Sequence, residues 1–217
     1  MSHRKCKQKM FAKIYNFRVF ISILLCFVCI LGDFLTNRAR NGSVTKALLD
    51  NTTHGVVGLL SALLPVGHFR ERLGPWEGTG MLIVAYIVAS AIDVDHFLEA
   101  KSLKLVDALN LPSRPFLHCS TIPLLILILI LITTRYFKSL SACLWLCVIF
   151  LAFASHHVRD SIRRGLWFCP LGSTQPTPYT LYLLTTALLP QIVILLISWS
   201  PQFKTPVLAQ QSEEFTV

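Results

Sequence analysis

Residues 140–160 read "LSACLWLCVIFLAFASHHVRD". From Leu140 to Ala154 the run is apolar or small. Ser155 to Asp160 then places two histidines and an aspartate within six residues. About 20 mostly apolar residues are needed for a helix to cross the roughly 30 Å hydrocarbon layer. The stretch therefore predicts a membrane helix with titratable side chains gathered at one end, and its meaning depends on whether other helices do the same.

Working outward, five further apolar runs lie at Val19–Leu35, Ala47–Val66, Gly80–Leu98, Cys119–Thr134 and Tyr179–Trp199. The first and fourth are short and need flanking residues to span. Gly, Pro and charged residues punctuate the connections, as in "GHFRERLGPWEG" and "RRGLWFCPLGSTQPTP". The expected fold is all-α: a multi-pass integral membrane bundle of about six spanning helices. Its expected organisation is a basic tail over residues 1–18, one transmembrane domain over 19–199 and a polar tail over 200–217. The first run follows a basic segment, but no A-x-A-like cleavage site follows it and Asp33 interrupts its end, so a retained helix is expected rather than a signal peptide.

Composition agrees. Hydrophobic residues make up 53% of 217 and charged residues 14%, with mean hydropathy +0.59. Ordinary globular chains carry about 25% charged residues. The formal net charge is +9, but the basic residues are spread over the tail and short loops. That distribution marks membrane flanks and lipid contact, not nucleic-acid binding. With a cytoplasmic N-terminus, 11 Lys and Arg fall on one side and 9 on the other, a balance that sets no orientation. Of the seven cysteines, Cys26, Cys29, Cys143 and Cys147 sit inside apolar runs and read as buried thiols. Cys6, among lysines and an arginine, is a palmitoylation candidate.

On six antiparallel spans, the end of one helix neighbours the start of the next. Asp33, Asp50, His54, Asp93, Asp95, His96, His118, His156, His157 and Asp160 then all fall at a single membrane face. Asp50 with His54, Asp93 with His96, and His156 with Asp160 are spaced to share a helical face. Asp93 and Asp95 point to opposite sides of an ideal helix, and converge only if the helix ends between Ile92 and Asp95. Imidazoles and carboxylates drawn from several helices suit Zn²⁺, Mn²⁺ or Fe²⁺. A dication also neutralises carboxylates that each cost about 2.5–3.5 kcal/mol at bilayer depth. His54, Asp93, His96, His118, His156 and Asp160 are the expected ligands of this divalent metal ion. Asp95 is the expected general base or bridging ligand. Asp33 and Asp50 are evenly balanced between site and interface; Arg159, Arg163 and Arg164 read mainly as a basic flank. His3 and His68 read as surface residues.

The segments "SAIDVDHF", "RPFLHCS" and "SHHVRDSIRRGLWFCPLG" together resemble the eukaryotic transmembrane protein 267 family, over nearly the whole chain. A wider resemblance is to bacterial inner-membrane metal-dependent hydrolases of the DUF457 type. Those carry an early His, then L-P-D-x-D-H, H-R-G-x-T-H-S, and S-H-x-x-x-D followed by Gly and a W-P-like turn. His54 matches the first; Asp93, Asp95 and His96 the second; His118, with Ser120 nearby, the third; His156 and Asp160, with Gly165 and Pro170 downstream, the fourth. Ser113 or Arg114 stands where the third motif begins with His, and Ser90 and Ala91 replace Leu-Pro. The resemblance implies metal-assisted hydrolysis, with His157 in a variable position beside Asp160; the position of the site at headgroup depth makes a lipid or other amphiphile the expected substrate. The missing His implies either a one-metal site or a fold kept without catalysis. The rival readings are a non-enzymatic protein of the same fold and a proton or ion carrier, which would need polar residues through the bilayer midplane.

Overall fold

The computed structural model describes residues 2–137, 139–201 and 203, with side chains from Ile14 onward. The side chain of Cys6 and most of the expected polar tail over 200–217 lie outside the described residues. Eight α-helices follow in order: α1 Ser2–Arg38, α2 Val44–His68, α3 Glu77–Ala91, α4 Asp95–Ala100, α5 Leu105–Leu109, α6 Thr121–Tyr136, α7 Leu140–Arg164 and α8 Tyr179–Trp199. A two-stranded hairpin, β1 Trp167–Phe168 and β2 Gly172–Ser173, follows α7. α1 begins at Ser2, so the expected basic tail is helical and continuous with the first span.

Five helical segments are long and apolar enough to cross a membrane: 14–38, 44–68, 77–100, 140–164 and 179–199. α6, with 16 residues, is the shorter sixth. It nevertheless runs the length of the bundle. His118 precedes it beside Asp160, and its far end meets α8, where Ser200 Oγ donates to the Thr134 carbonyl at 2.7 Å. Flanking residues make up its length, because the 3₁₀ turn Phe116–His118 and the Ser120 N–H bond to the Trp167 carbonyl (2.6 Å) take the chain before helix begins.

α2 and α7 form the centre. α2 packs on α1, α3, α7 and α8; α7 packs on α2, α3, α6 and α8. Gly58 permits this closeness: a Cβ there would stand 2.5 Å from that of Ala89 on α3 and 3.7 Å from Ala152 Cα on α7. One half of the bundle has an apolar core that includes Ala62, Met81, Cys147 and Leu151. Outward, Phe20, Ile23, Ile87, Leu125 and Ile192 stay exposed, the pattern of helices facing lipid.

The start and end of α7 are fixed locally. Ser139 caps its N-terminus by accepting from the Ala142 N–H at 3.2 Å. Gly165 ends it at φ +69°, where a Cβ would fall 2.0 Å from the Thr174 carbonyl oxygen. α3 stops at Ala91; a 3₁₀ turn over Ile92–Val94 leads into α4.

Leu103 (93% exposed) and Trp76 (81%) occupy the two ends of the bundle, in the α4–α5 and α2–α3 connections. In a cysteine-free background, Leu103→Cys and Trp76→Cys should react with an impermeant thiol reagent from opposite sides of a sealed membrane. Labelling from one side would show that α3 does not cross.

Candidate metal centre

The break after Ala91 meets the condition that the alternation of Asp93 and Asp95 imposed. Two residues are about 160° apart around an α-helix at 3.6 residues per turn, but about 120° apart at three per turn. Both carboxylates now reach His118 from opposite sides. Asp93 Oδ1 lies 3.5 Å from its Nε2, and Asp95 Oδ1 lies 3.2 Å from its Nδ1. The break also leaves Ala89 among the last carbonyls of α3, which lack partners inside the helix. His156 Nδ1 lies 2.8 Å from that carbonyl.

Four donor atoms converge: Asp93 Oδ1, His118 Nε2, His156 Nε2 and Asp160 Oδ2, all within 4.8 Å of one another. Asp160 Oδ2 stands 3.4 Å from His118 Nε2 and 3.5 Å from His156 Nε2; Asp93 Oδ1 stands 3.6 Å from His156 Nε2; the two Nε2 atoms are 3.3 Å apart. Four donors held at about 2.0–2.1 Å around a tetrahedral zinc stand about 3.3–3.4 Å from one another.

The tautomers point the same way. A carbonyl only accepts, so His156 Nδ1 carries the hydrogen facing Ala89 and its Nε2 presents a lone pair. His118 Nδ1 faces Asp95 Oδ2 at 3.3 Å, and its Nε2 is likewise turned inward. Two lone pairs and two carboxylates facing one another require a positive charge between them. Without a metal, a proton supplies it. Burial alone would lower the His118 pKa, but bonds to Asp160, Asp93 and Asp95 overcome that and push it up to about 11.

The other expected site residues surround this group. His54, 1% exposed, stacks on His156 with ring centroids 3.8 Å apart, and its Nε2 lies 3.4 Å from Asp160 Oδ1, the oxygen turned away from the four donors. Asp95 lies behind His118, where its Oδ2 accepts the Leu117 N–H at 2.7 Å. His96 Nδ1 lies 3.3 Å from Asp95 Oδ1, outside the group of four. His157 bonds the Leu117 carbonyl at 2.9 Å and so fixes the backbone next to His118 instead of touching Asp160.

Arg159 corrects the reading of the basic flank. Its side chain is 1% exposed. Nε donates to Asp33 Oδ1 at 3.0 Å, and Nη1 lies 2.6 Å from Asp50 Oδ1. Arg163 adds a two-pronged contact to Asp50 at 2.8 and 2.9 Å. Asp33 and Asp50 therefore belong to an ion network that ties α1 and α2 to α7, not to the group of four. Sequence reading missed it because "RDSIRR" looks like a solvated helix end. The signal was helical phase: Arg159 lies three residues beyond His156, on a shared face. His68 is half-buried and packs edge-on against Phe69.

Removing one partner of a buried ion pair typically costs about 3–5 kcal/mol. Arg159→Leu should destabilise the protein in detergent by an amount of that order, read as a lowered thermal midpoint. Adding Asp33→Asn should recover part of it, because the carboxylate left without a cation is then removed, whereas Asp50 keeps Arg163. No recovery would mean that packing, not charge, is what Arg159 contributes.

No protein-family model matches the chain, so the bacterial hydrolase resemblance rests on its motif residues alone. No solved structure matches it either. Curated relatives do. It is 38% identical to mouse transmembrane protein 267 over 174 residues, 79% of each chain. It is 43% identical to the Xenopus laevis protein of that name over 180 residues, 82% of this chain and 81% of the relative. The bovine one is 43% identical over 148 residues, 68% and 66% of the two chains. With that identity over that length, and an all-helical multi-pass fold, the chain belongs to the transmembrane protein 267 family.

Proposed function

We propose that Asp93, His118, His156 and Asp160 bind one divalent metal, zinc before manganese or iron, and that the protein is a membrane-embedded metal-dependent hydrolase acting on an amphiphile. The observation that carries this is that five of the six donor–donor distances are 3.3–3.6 Å, together with two imidazoles whose outer nitrogens are already bonded. Such outer bonds fix the ring and raise its basicity as a ligand.

When bound, the metal supplies a Lewis acid and lowers the pKa of a water. The chain's own residues do the rest. Asp95 holds His118, the Ala89 carbonyl holds His156, and His54 holds the second oxygen of Asp160. Asp95 is 7% exposed and acts through His118, so it is a positioning residue. His96 is 28% exposed and lines the cavity above the cluster. It is the group placed to pass a proton between that cavity and Asp95.

The side chains of Asp93 and Asp160 are each 29% exposed and line the same cavity. A metal serving only to brace helix ends needs no such access, and Arg159 already braces them. A carrier needs a polar path across the bilayer, where this bundle has the apolar core around Met81 and Leu151.

Elemental analysis of purified protein supplied with metal tests the reading. The parent should hold about one equivalent. His156→Ala should empty the site and His157→Ala should retain most of its metal. Asp95→Asn should weaken binding by about 10–100-fold, the usual effect of losing an outer partner. A parent without metal, or equal retention in the two histidine variants, would sink the ligand assignment.

A second measurement reads protons. Below about pH 11 His118 carries a proton in the metal-free cluster, and a ligand must be neutral. Calorimetry in buffers of different ionisation enthalpy should therefore show proton release on metal uptake at pH 7, with affinity falling as pH falls.

A further inference from the structure

We infer that the cavity above the cluster seats the phosphate of a membrane amphiphile, with Arg114 and Arg164 as its anion-binding pair. This rests on the metal-site reading and adds the substrate's headgroup to it.

The cavity has a volume of about 510 Å³. Its floor includes Asp93, His118 and Asp160. Its walls are largely apolar: Leu48, Phe97, Leu103, Leu109, Leu166 and Trp167. Three arginines also line it: Arg114, Arg163 and Arg164.

A tally of charge singles out two of them. A dication offsets Asp93 and Asp160. Arg159 and Arg163 offset Asp33 and Asp50, which they contact directly. Asp95 is turned away, behind His118, and does not line the cavity. Arg114 and Arg164 are left, two positive charges that make no ion pair among the described residues; the carboxylate that acts on Arg114 is Asp160, already offset by the dication. That surplus matches the dianion of a phosphate monoester.

Arg114 is set for the task. Its Nη1 donates to the Gly165 carbonyl at 3.1 Å and its Nη2 to the Arg164 carbonyl. Those bonds fix a planar fork of five N–H groups with donors to spare. The Arg164 side chain has no hydrogen bond or ion pair among the described residues. Planar guanidinium donors favour paired bonds to phosphate oxygens.

The rim says where the phosphate comes from. Leu98 (71% exposed), Leu103 (93%) and Phe116 (72%) stand out from the connection between α3 and α6, and Leu171 (90%) from the hairpin. Lys101 and Lys104 are exposed among them. Apolar side chains interleaved with lysines at the end of a membrane bundle suit the headgroup layer, where lysine ammonium groups reach water. A soluble phosphate ester would need no such rim.

The test is equilibrium binding of dihexanoyl phosphatidic acid to the full-length protein in detergent. Dihexanoylglycerol, dihexanoyl phosphatidylcholine and inorganic phosphate are the comparisons. Phosphatidic acid should bind tightest, and Arg114→Gln and Arg164→Gln should each weaken it about tenfold or more, as expected for a charged hydrogen bond. Metal content, measured on the same samples, should not change. Arg164→Gln keeps the proposal testable if Arg114→Gln disturbs the fold. Equal binding of dihexanoylglycerol, or unchanged affinity in the Arg164 variant, would overturn the phosphate assignment. Inorganic phosphate binding as tightly as the amphiphile would overturn the lipid source. A parent lacking metal would sink the metal site separately, since the arginine dependence is read without activity.

Discussion

The polar end of the molecule depends on α3 ceasing to be an α-helix at Ala91. One change of backbone pitch has two effects. It turns Asp93 and Asp95 toward opposite nitrogens of one imidazole, and it frees the Ala89 carbonyl to fix the ring of His156. A straight continuation would send one of the two carboxylates into lipid or apolar packing, at about 2.5–3.5 kcal/mol, and would use the carbonyl within the helix. The short turn is thus the point where helix packing becomes site geometry.

The other elements serve that junction. Gly58 lets α2 come close to α3 and α7, which puts His54, one turn earlier, against His156 and Asp160. α6 and the Phe116–His118 turn deliver His118 from a separate hairpin. Arg159, one residue before Asp160, holds α1 and α2 against the same stretch of α7. The apolar half carries the packing, and the polar half is held by direct ionic and hydrogen-bonded contacts. Apolar packing also reaches the polar half, where Val158 and Ile162, on either side of Asp160, pack against the cluster of Leu25, Cys29, Val57 and Tyr182.

Much of this was legible from the chain. Apolar run lengths anticipated the five long helices and the shorter α6, though not α4 and α5, and alternation alone led to the expectation of ten titratable residues at one face. The spacing of Asp93 and Asp95 stated the condition that the helix break then met. What was not legible depended on tertiary neighbours. His156 and His157 are about 100° apart on a helix, yet both are buried, because α7 is enclosed on nearly every side. Asp95 behind His118, and Arg114 folded onto the end of α7, are contacts between segments far apart in sequence. No periodicity records them.

Arg159 has a consequence for how the protein is made. Its partner Asp33 lies 126 residues earlier in the chain. At about 5–20 residues per second, roughly 6–25 s separate their synthesis. During that interval the carboxylates of α1 and α2 must stay at the membrane surface, in reach of water, because their counter-charge does not yet exist. The ion network at the polar end therefore closes no earlier than the synthesis of α7.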